Sequence, residues 1–202
     1  MVDEITQAVL SRDDIARYLQ DSHRGHATRE RIHAYLEELR TTQRYSIYRA
    51  LKHPLYPILR KIDRIGENVE IVKTAARAGR VVYASNHRSH TDYLAEPLVL
   101  DDNGIRPPII AAGINLFGGP LGLLHRHVTG AMPVRRNTKD PVYLVTLKAY
   151  VAELLRRHDL FFYPEGGRSY SGELKSPKTG LLHAALQADV HSGGIPSAAR
   201  RA

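Results

Sequence analysis

Apolar positions change their period about a third of the way along the chain. From Thr28 they fall at Ile32, Tyr35, Leu36 and Leu39, then at Ile47, Tyr48 and Leu51. This is the 3.6-residue spacing of an amphipathic helix with a polar opposite face. Ahead of it, Ser11 with Asp14 three residues later predicts a capping box that opens a short helix. Pro54 and Pro57 end or bend the helical run. Leu55, Ile58, Leu59 and Ile62 then restart a short amphipathic helix, with Arg60, Lys61 and Arg64 on its polar side. From about residue 69 helices alternate with short apolar runs. Val69 to Ala78 reads as a helix stopped by Gly79, and Val81 to Ser85 as a buried strand. A helix through Tyr93, Leu94 and Leu98 follows, strained by Pro97. Pro108 to Ala112 is a second strand, and a glycine-rich helix or loop leads on to His127. Ala131 to Val134 is a third strand. Asp140-Pro141 opens a long helix, proline being suited to a first turn. Leu160 to Tyr163 is a fourth strand, and Lys178 to Ala188 a last helix.

Strands separated by helices predict an α/β fold, a largely parallel sheet flanked by helices, with an N-terminal helical segment. The expected division is residues 1–64 for that segment, 65–189 for the α/β domain, and 190–202 for a disordered tail with little core-forming content. Sites in such sheets lie beyond the carboxyl ends of the strands, and each polar cluster of this chain falls there.

Composition narrows the function. The net charge of +8 favours anionic partners such as phosphates, acidic lipid headgroups or a CoA-like thioester. Nucleic acid is a poor fit, because aromatics are only 7%, the basic residues are dispersed and no recognition motif appears. The chain has no cysteine, which excludes thiolate catalysis, disulfides and zinc-thiolate sites. The acidic start, Met1-Val2-Asp3-Glu4-Ile5, lacks a signal-peptide apolar core, and no window holds about eighteen uninterrupted apolar residues. Any membrane contact is therefore expected to be peripheral, at the cytoplasmic face. The basic helix near residues 55–64 is either a packing element or a surface that leans on an anionic bilayer.

The first strand runs into Ser85-Asn86-His87-Arg88-Ser89-His90-Thr91-Asp92-Tyr93. Imidazole takes a proton near neutral pH, and a carboxylate on its far nitrogen fixes the tautomer. Five residues apart on a helix, His87 and Asp92 would diverge, so they meet only if the chain turns between them. Asp92 is equally able to pair with His90. A metal site at His87, His90 and Asp92 is the less favoured reading, since the spacing does not match His-Glu-x-x-His. The third strand ends in Arg135-Arg136-Asn137, and the fourth in Pro164-Glu165-Gly166-Gly167-Arg168-Ser169, with Lys175 and Lys178 following. Guanidinium groups grip phosphate bidentately, and glycines admit an anion close to backbone amides. Walker A and Gly-x-Ser-x-Gly spacings are both absent.

In their order these blocks resemble the glycerolipid acyltransferases. Asn86 to Tyr93 resembles the family's His-x4-Asp block. Ile110 to Leu116 and Gly130 to Arg136 resemble its second block, and Phe162 to Ser169 its third. The Glu165-Gly166-Gly167-Arg168-Ser169 form, with Pro177-Lys178-Thr179-Gly180 after it, is most similar to the glycerol-3-phosphate and dihydroxyacetone-phosphate branches. The resemblance covers about residues 80 to 189. It implies that His87, rather than His90, removes a proton from the acceptor hydroxyl while Asp92 orients it. It assigns the acceptor phosphate to Arg135, Arg136, Arg168 and Lys178, and the acceptor pocket to Glu165, Gly166, Gly167 and Ser169. It implies acyl-CoA or acyl carrier protein (acyl-ACP) as co-substrate, glycerol 3-phosphate as acceptor, an anionic membrane surface as partner, and no metal or other cofactor. Lysophosphatidate or dihydroxyacetone phosphate is the alternative acceptor, and a non-catalytic basic module that binds anionic lipid is the alternative class. The family's fourth block, a hydrophobic strand ending in proline, is matched poorly by Ile195-Pro196. The chain is accordingly expected to be a truncated member with an incomplete domain, an exposed sheet edge, and low stability or activity in isolation.

Overall fold

The computed structural model describes residues 4–21, 25–50, 63, 65–89, 92–119, 122, 126–127, 129–169, 171 and 173–191. Among them, four strands form one all-parallel sheet in the order β1–β4–β2–β3. The strands are β1 (Val82–Ala84), β2 (Ile109–Gly113), β3 (Ala131–Val134) and β4 (Leu160–Phe162). The helices are α1 (Glu4–Leu10), α2 (Asp13–Asp21), α3 (Gly25–Leu39), α4 (Val69–Ala78), α5 (Asp92–Asp102), α6 (Pro141–Leu155) and α7 (Gly180–His191). The architecture is the expected one: α/β, a parallel sheet flanked by helices, and a helical N-terminal segment. Parallel pairing sends every strand's carboxyl end to the same edge, which brings four loops of distant sequence together.

Side chains alternate along a strand, so Ile109 with Ala111 and Leu160 with Phe162 turn to one face and join Met132 there. They meet α6, which is apolar around most of its circumference and is buried accordingly at Tyr143, Tyr150, Val151 and Leu154. The N-terminal helices pack around α6 as well. Ile5, Val9, Ile15, Ile32, Leu36 and Leu39 belong to the same hydrophobic core as the strands. As the sequence predicts, Pro141 occupies the first turn of α6 and Asp140 caps it, accepting the Val142 amide at 3.0 Å. Arg31 (2.6 Å) and Tyr35 of α3 also donate to this carboxylate. Burial opposes its ionisation, but Tyr35 and Arg31 outweigh that, and Asp140 is held below the usual carboxylate range.

Three local expectations are corrected. No capping box forms at Ser11, whose hydroxyl donates to the Ala8 carbonyl at 2.9 Å and closes α1. Asp14 is instead held by the Arg12 guanidinium through contacts of 2.9 and 2.8 Å, so it cannot reach back. The helical run from Thr28 breaks after Leu39. Arg126 donates to the carbonyls of Glu37, Glu38 and Arg40, giving the helix end its partners. The next residues lie beside β3, where Gln43 bridges Thr129, before helix resumes at 45–50. Lys178 does not start the last helix, because its amide donates to the Pro164 carbonyl at 2.7 Å and α7 begins at Gly180. The helix expected at Leu55, Ile58, Leu59 and Ile62 lies outside the described residues, as do Ile195 and Pro196.

Leu36 is fully buried where α3 meets the shared core. Leu36→Ala should lower the unfolding free energy by about 2–5 kcal/mol in urea titration, although the residue lies far along the chain from the sheet.

Candidate active site

The polar end of the sheet is assembled by hydrogen bonds that continue the β1–β4 pairing past the strands. The Ser85 amide donates to the Phe162 carbonyl at 3.2 Å, and the Ser169 amide to the His87 carbonyl at 2.8 Å. The His87 amide lies 3.4 Å from Glu165 Oε1. Glu165 Oε2 accepts the Lys175 amide at 3.1 Å. Glu165 and Ser169, which the resemblance assigns to the acceptor pocket, are both buried inside these joined loops and hold them together.

The chain turns after His87 and enters α5 at Asp92, which is what the pair needs to meet. His87 Nδ1 lies 3.1 Å from Asp92 Oδ2. The same oxygen accepts the Arg88 and Ser89 amides, each at 2.7 Å. Burial alone would raise the Asp92 carboxyl. The Ser89 and Arg88 amides and the His87 ring outweigh it, and the group is held below the usual carboxylate range. An ionised Asp92 accepts a proton-bearing Nδ1, so the lone pair of the imidazole is left on Nε2. Asp92 thus has His87 as a partner in the structure, and His90 lies outside the described residues.

Two residues of this site escape the sequence reading. The Tyr163 ring stacks on His87 with centroids 4.0 Å apart and an angle of 16° between the planes. Its hydroxyl donates to Glu96 Oε2 at 3.0 Å, and Ser85 Oγ donates to Glu96 Oε1 at 2.8 Å. Burial pushes the Glu96 carboxyl above its ordinary value, against the pull of these two donors. The available signal was the four-residue interval from Asp92 to Glu96, which sets both carboxylates on one helix face.

His87 lines a cavity of about 850 Å³, together with Arg135, Arg136, Gly166, Gly167, Arg168 and Lys178. Its remaining wall is largely apolar, including Ile110, Leu144, Leu147, Phe162 and Leu181. The cations differ in their commitments. Arg135 is gripped by Glu38 of α3 through contacts of 2.7 and 2.6 Å, and its guanidinium lies over Tyr35 (4.9 Å) and Tyr143 (5.5 Å). The fork that the resemblance assigns to a phosphate is here spent on a carboxylate. Arg136 has no ion-pair partner among the described residues. Its guanidinium lies so close to Gly113 that a Cβ there would sit 2.7 Å from Nε and Nη2. Lys178 Nζ donates to Asn137 Oδ1 at 3.0 Å and passes directly over Gly166. Gly166 adopts φ +65°, and a Cβ would sit 3.1 Å from Lys178 Cδ, so both backbone and space call for glycine. Among the described residues, no cluster of three His, Cys, Asp or Glu side chains could hold a metal. No helix of the described residues is long and apolar enough to cross a membrane.

Residues 67–196 match the family model described as Acyltransferase. The chain belongs to this acyltransferase family. It is similar to a glycerol-3-phosphate acyltransferase of Aeromonas hydrophila subsp. hydrophila, at 39% identity over 165 residues, which is 79% of this chain and 20% of that protein. It is also similar to a glycerol-3-phosphate acyltransferase of Histophilus somni, at 43% identity over 125 residues, 60% of this chain and 15% of that protein. The chain thus spans about a fifth or less of the length of these two relatives.

The lowered pKa of Asp92 has a consequence for this acyltransferase domain. The ionised carboxylate stabilises the fold at pH above its unfolded value, near 4, and that contribution is lost as the pH falls through the lower folded value. Asp92→Asn should be less stable than the wild type by about 1–3 kcal/mol at neutral pH. Denaturation curves collected down the pH scale should show the gap closing below about pH 4.

Proposed function

We propose that this chain carries the catalytic core of an enzyme that moves a fatty acyl group from an acyl thioester to the hydroxyl of glycerol 3-phosphate. The observation that carries this reading is the His87–Asp92 pair, with His87 on the wall of a largely apolar cavity that Arg136, Arg168 and Lys178 also line. Nε2 of His87 takes the hydroxyl proton as the acceptor oxygen attacks the thioester carbonyl. Asp92 stabilises the imidazolium that results. The carbon–sulfur bond then breaks, and the thiolate of CoA or acyl carrier protein recovers the proton from Nε2. His87 serves the acceptor hydroxyl in this reading, so attack on the thioester is direct and passes through no acyl-enzyme. No cofactor beyond the thioester takes part.

Arg136, Arg168 and Lys178 line the same cavity as His87 and carry the charge a phosphate requires. Arg135 lines the cavity with them, but its Nε and Nη2 are committed to Glu38. The apolar wall suits the acyl chain. A net charge of +8 supports peripheral contact with an anionic bilayer, into which an acylated product would pass. The name shared by the two relatives favours glycerol 3-phosphate over lysophosphatidate or dihydroxyacetone phosphate.

Acyl transfer from acyl-CoA to glycerol 3-phosphate should fall by about 10²–10⁴-fold in His87→Ala, as expected for loss of a general base. Arg136→Ala and Lys178→Ala should instead raise KM for glycerol 3-phosphate by about 10-fold or more while kcat changes little. Undiminished transfer by His87→Ala would rule out His87 as the base, and an inactive wild-type protein would leave the basic lipid-binding reading in its place.

A further inference from the structure

Asp92 fixes where Nδ1 of His87 points, but one hydrogen bond leaves the imidazole free to tilt about that contact. Tyr163 removes this freedom, because its ring lies flat on the imidazole at 4.0 Å. Tyr163 is itself held at its far end, where its hydroxyl meets Glu96. Glu96 is a costly residue for that place. A half-buried carboxylate is unfavourable unless donors satisfy it, and an apolar side chain would pack there without the penalty. Both of its oxygens are satisfied, one by Tyr163 and one by Ser85 at the mouth of β1. One helix therefore supplies two carboxylates, one turn apart, and each constrains the same imidazole.

Resting on the base assignment above, we infer that Tyr163 and Glu96 act together as positioning residues for His87. Asp92 sets the ring's direction, and the Glu96-anchored Tyr163 sets its plane. The stacked phenol also places its electron-rich face against the imidazolium that forms during transfer. Hydrogen bonding of the phenol to a carboxylate makes that face more electron-rich.

The test is a set of variants in the intact protein, assayed for acyl transfer from acyl-CoA to glycerol 3-phosphate. Tyr163→Leu removes the stack and should lower kcat by about 10- to 100-fold, with both KM values changed less than about twofold. Tyr163→Phe keeps the ring and loses only the tether, and should restore most of that loss. Glu96→Leu breaks the same O–H···O bond from its other end and also releases Ser85, so it should be impaired at least as much as Tyr163→Phe. The double variant Tyr163→Phe with Glu96→Leu should be no worse than Glu96→Leu alone. Glu96→Gln keeps an acceptor and should stay near wild type. Tyr163→Phe loses a single oxygen, so the comparison survives even if the leucine variants fold poorly. Wild-type kcat in Tyr163→Phe and Glu96→Leu, or effects that add in the double variant, would overturn the positioning role while a dead His87→Ala kept the base assignment. An active His87→Ala would overturn the base assignment and the positioning role with it.

Discussion

The site exists because β1 pairs in parallel with β4. These strands are separated by most of the α/β region, yet Tyr83 is in register with Phe161 and Ala84 with Phe162. Adjacent strands lie about 4.8 Å apart, so the loops that leave them begin as neighbours. Three hydrogen bonds then carry the pairing onward, through Ser85, His87 and Ser169. This extension puts the imidazole of one loop on the phenol of the other. A slip of one residue would reverse every side chain of the strand and send Tyr163 to the opposite face.

Charge at this end of the sheet is sorted by what each group touches. The carboxylates face backbone amides and hydroxyls: Asp92 the amides of Arg88 and Ser89, Glu165 those of His87 and Lys175, Glu96 the hydroxyls of Ser85 and Tyr163. Acidic groups are thus used to shape backbone and rings. The cations, in contrast, are drawn from the ends of β3 and β4 and line the open cavity. Arg135 lines it too but is already paired, and it ties α3 to the rim through Glu38. The N-terminal helices therefore do more than cover α6. They hold one of the two adjacent arginines, and so set where its neighbour Arg136 begins.

Much of the fold was legible because its signals are local. Asp140-Pro141 opens α6, Gly79 closes α4, and Ala131 to Val134 is a strand as written, each for reasons contained within a few residues. The places where the reading failed share a different cause. Ser11 lost its capping role because Arg12 took Asp14, and Arg12 is itself held by Glu153, on α6. The helix after Leu39 ended because Arg126, nearly ninety residues away, satisfied its last carbonyls. No pattern within the segment carries that information.

The sequence by itself determined the chemistry: a histidine and a carboxylate beyond one strand, guanidinium and ammonium groups beyond two others, and glycines where an anion or a lysine must pass. Those depend on residue type and on order along the chain, which a sequence states directly. Tertiary structure alone decided the partners. It brought His87 to Asp92 by turning the chain before α5, assigned Arg135 to Glu38, and joined Tyr163 and Glu96 to the imidazole. Pairings of this kind are set by strand register and helix packing across long separations, and spacing along the chain does not encode them.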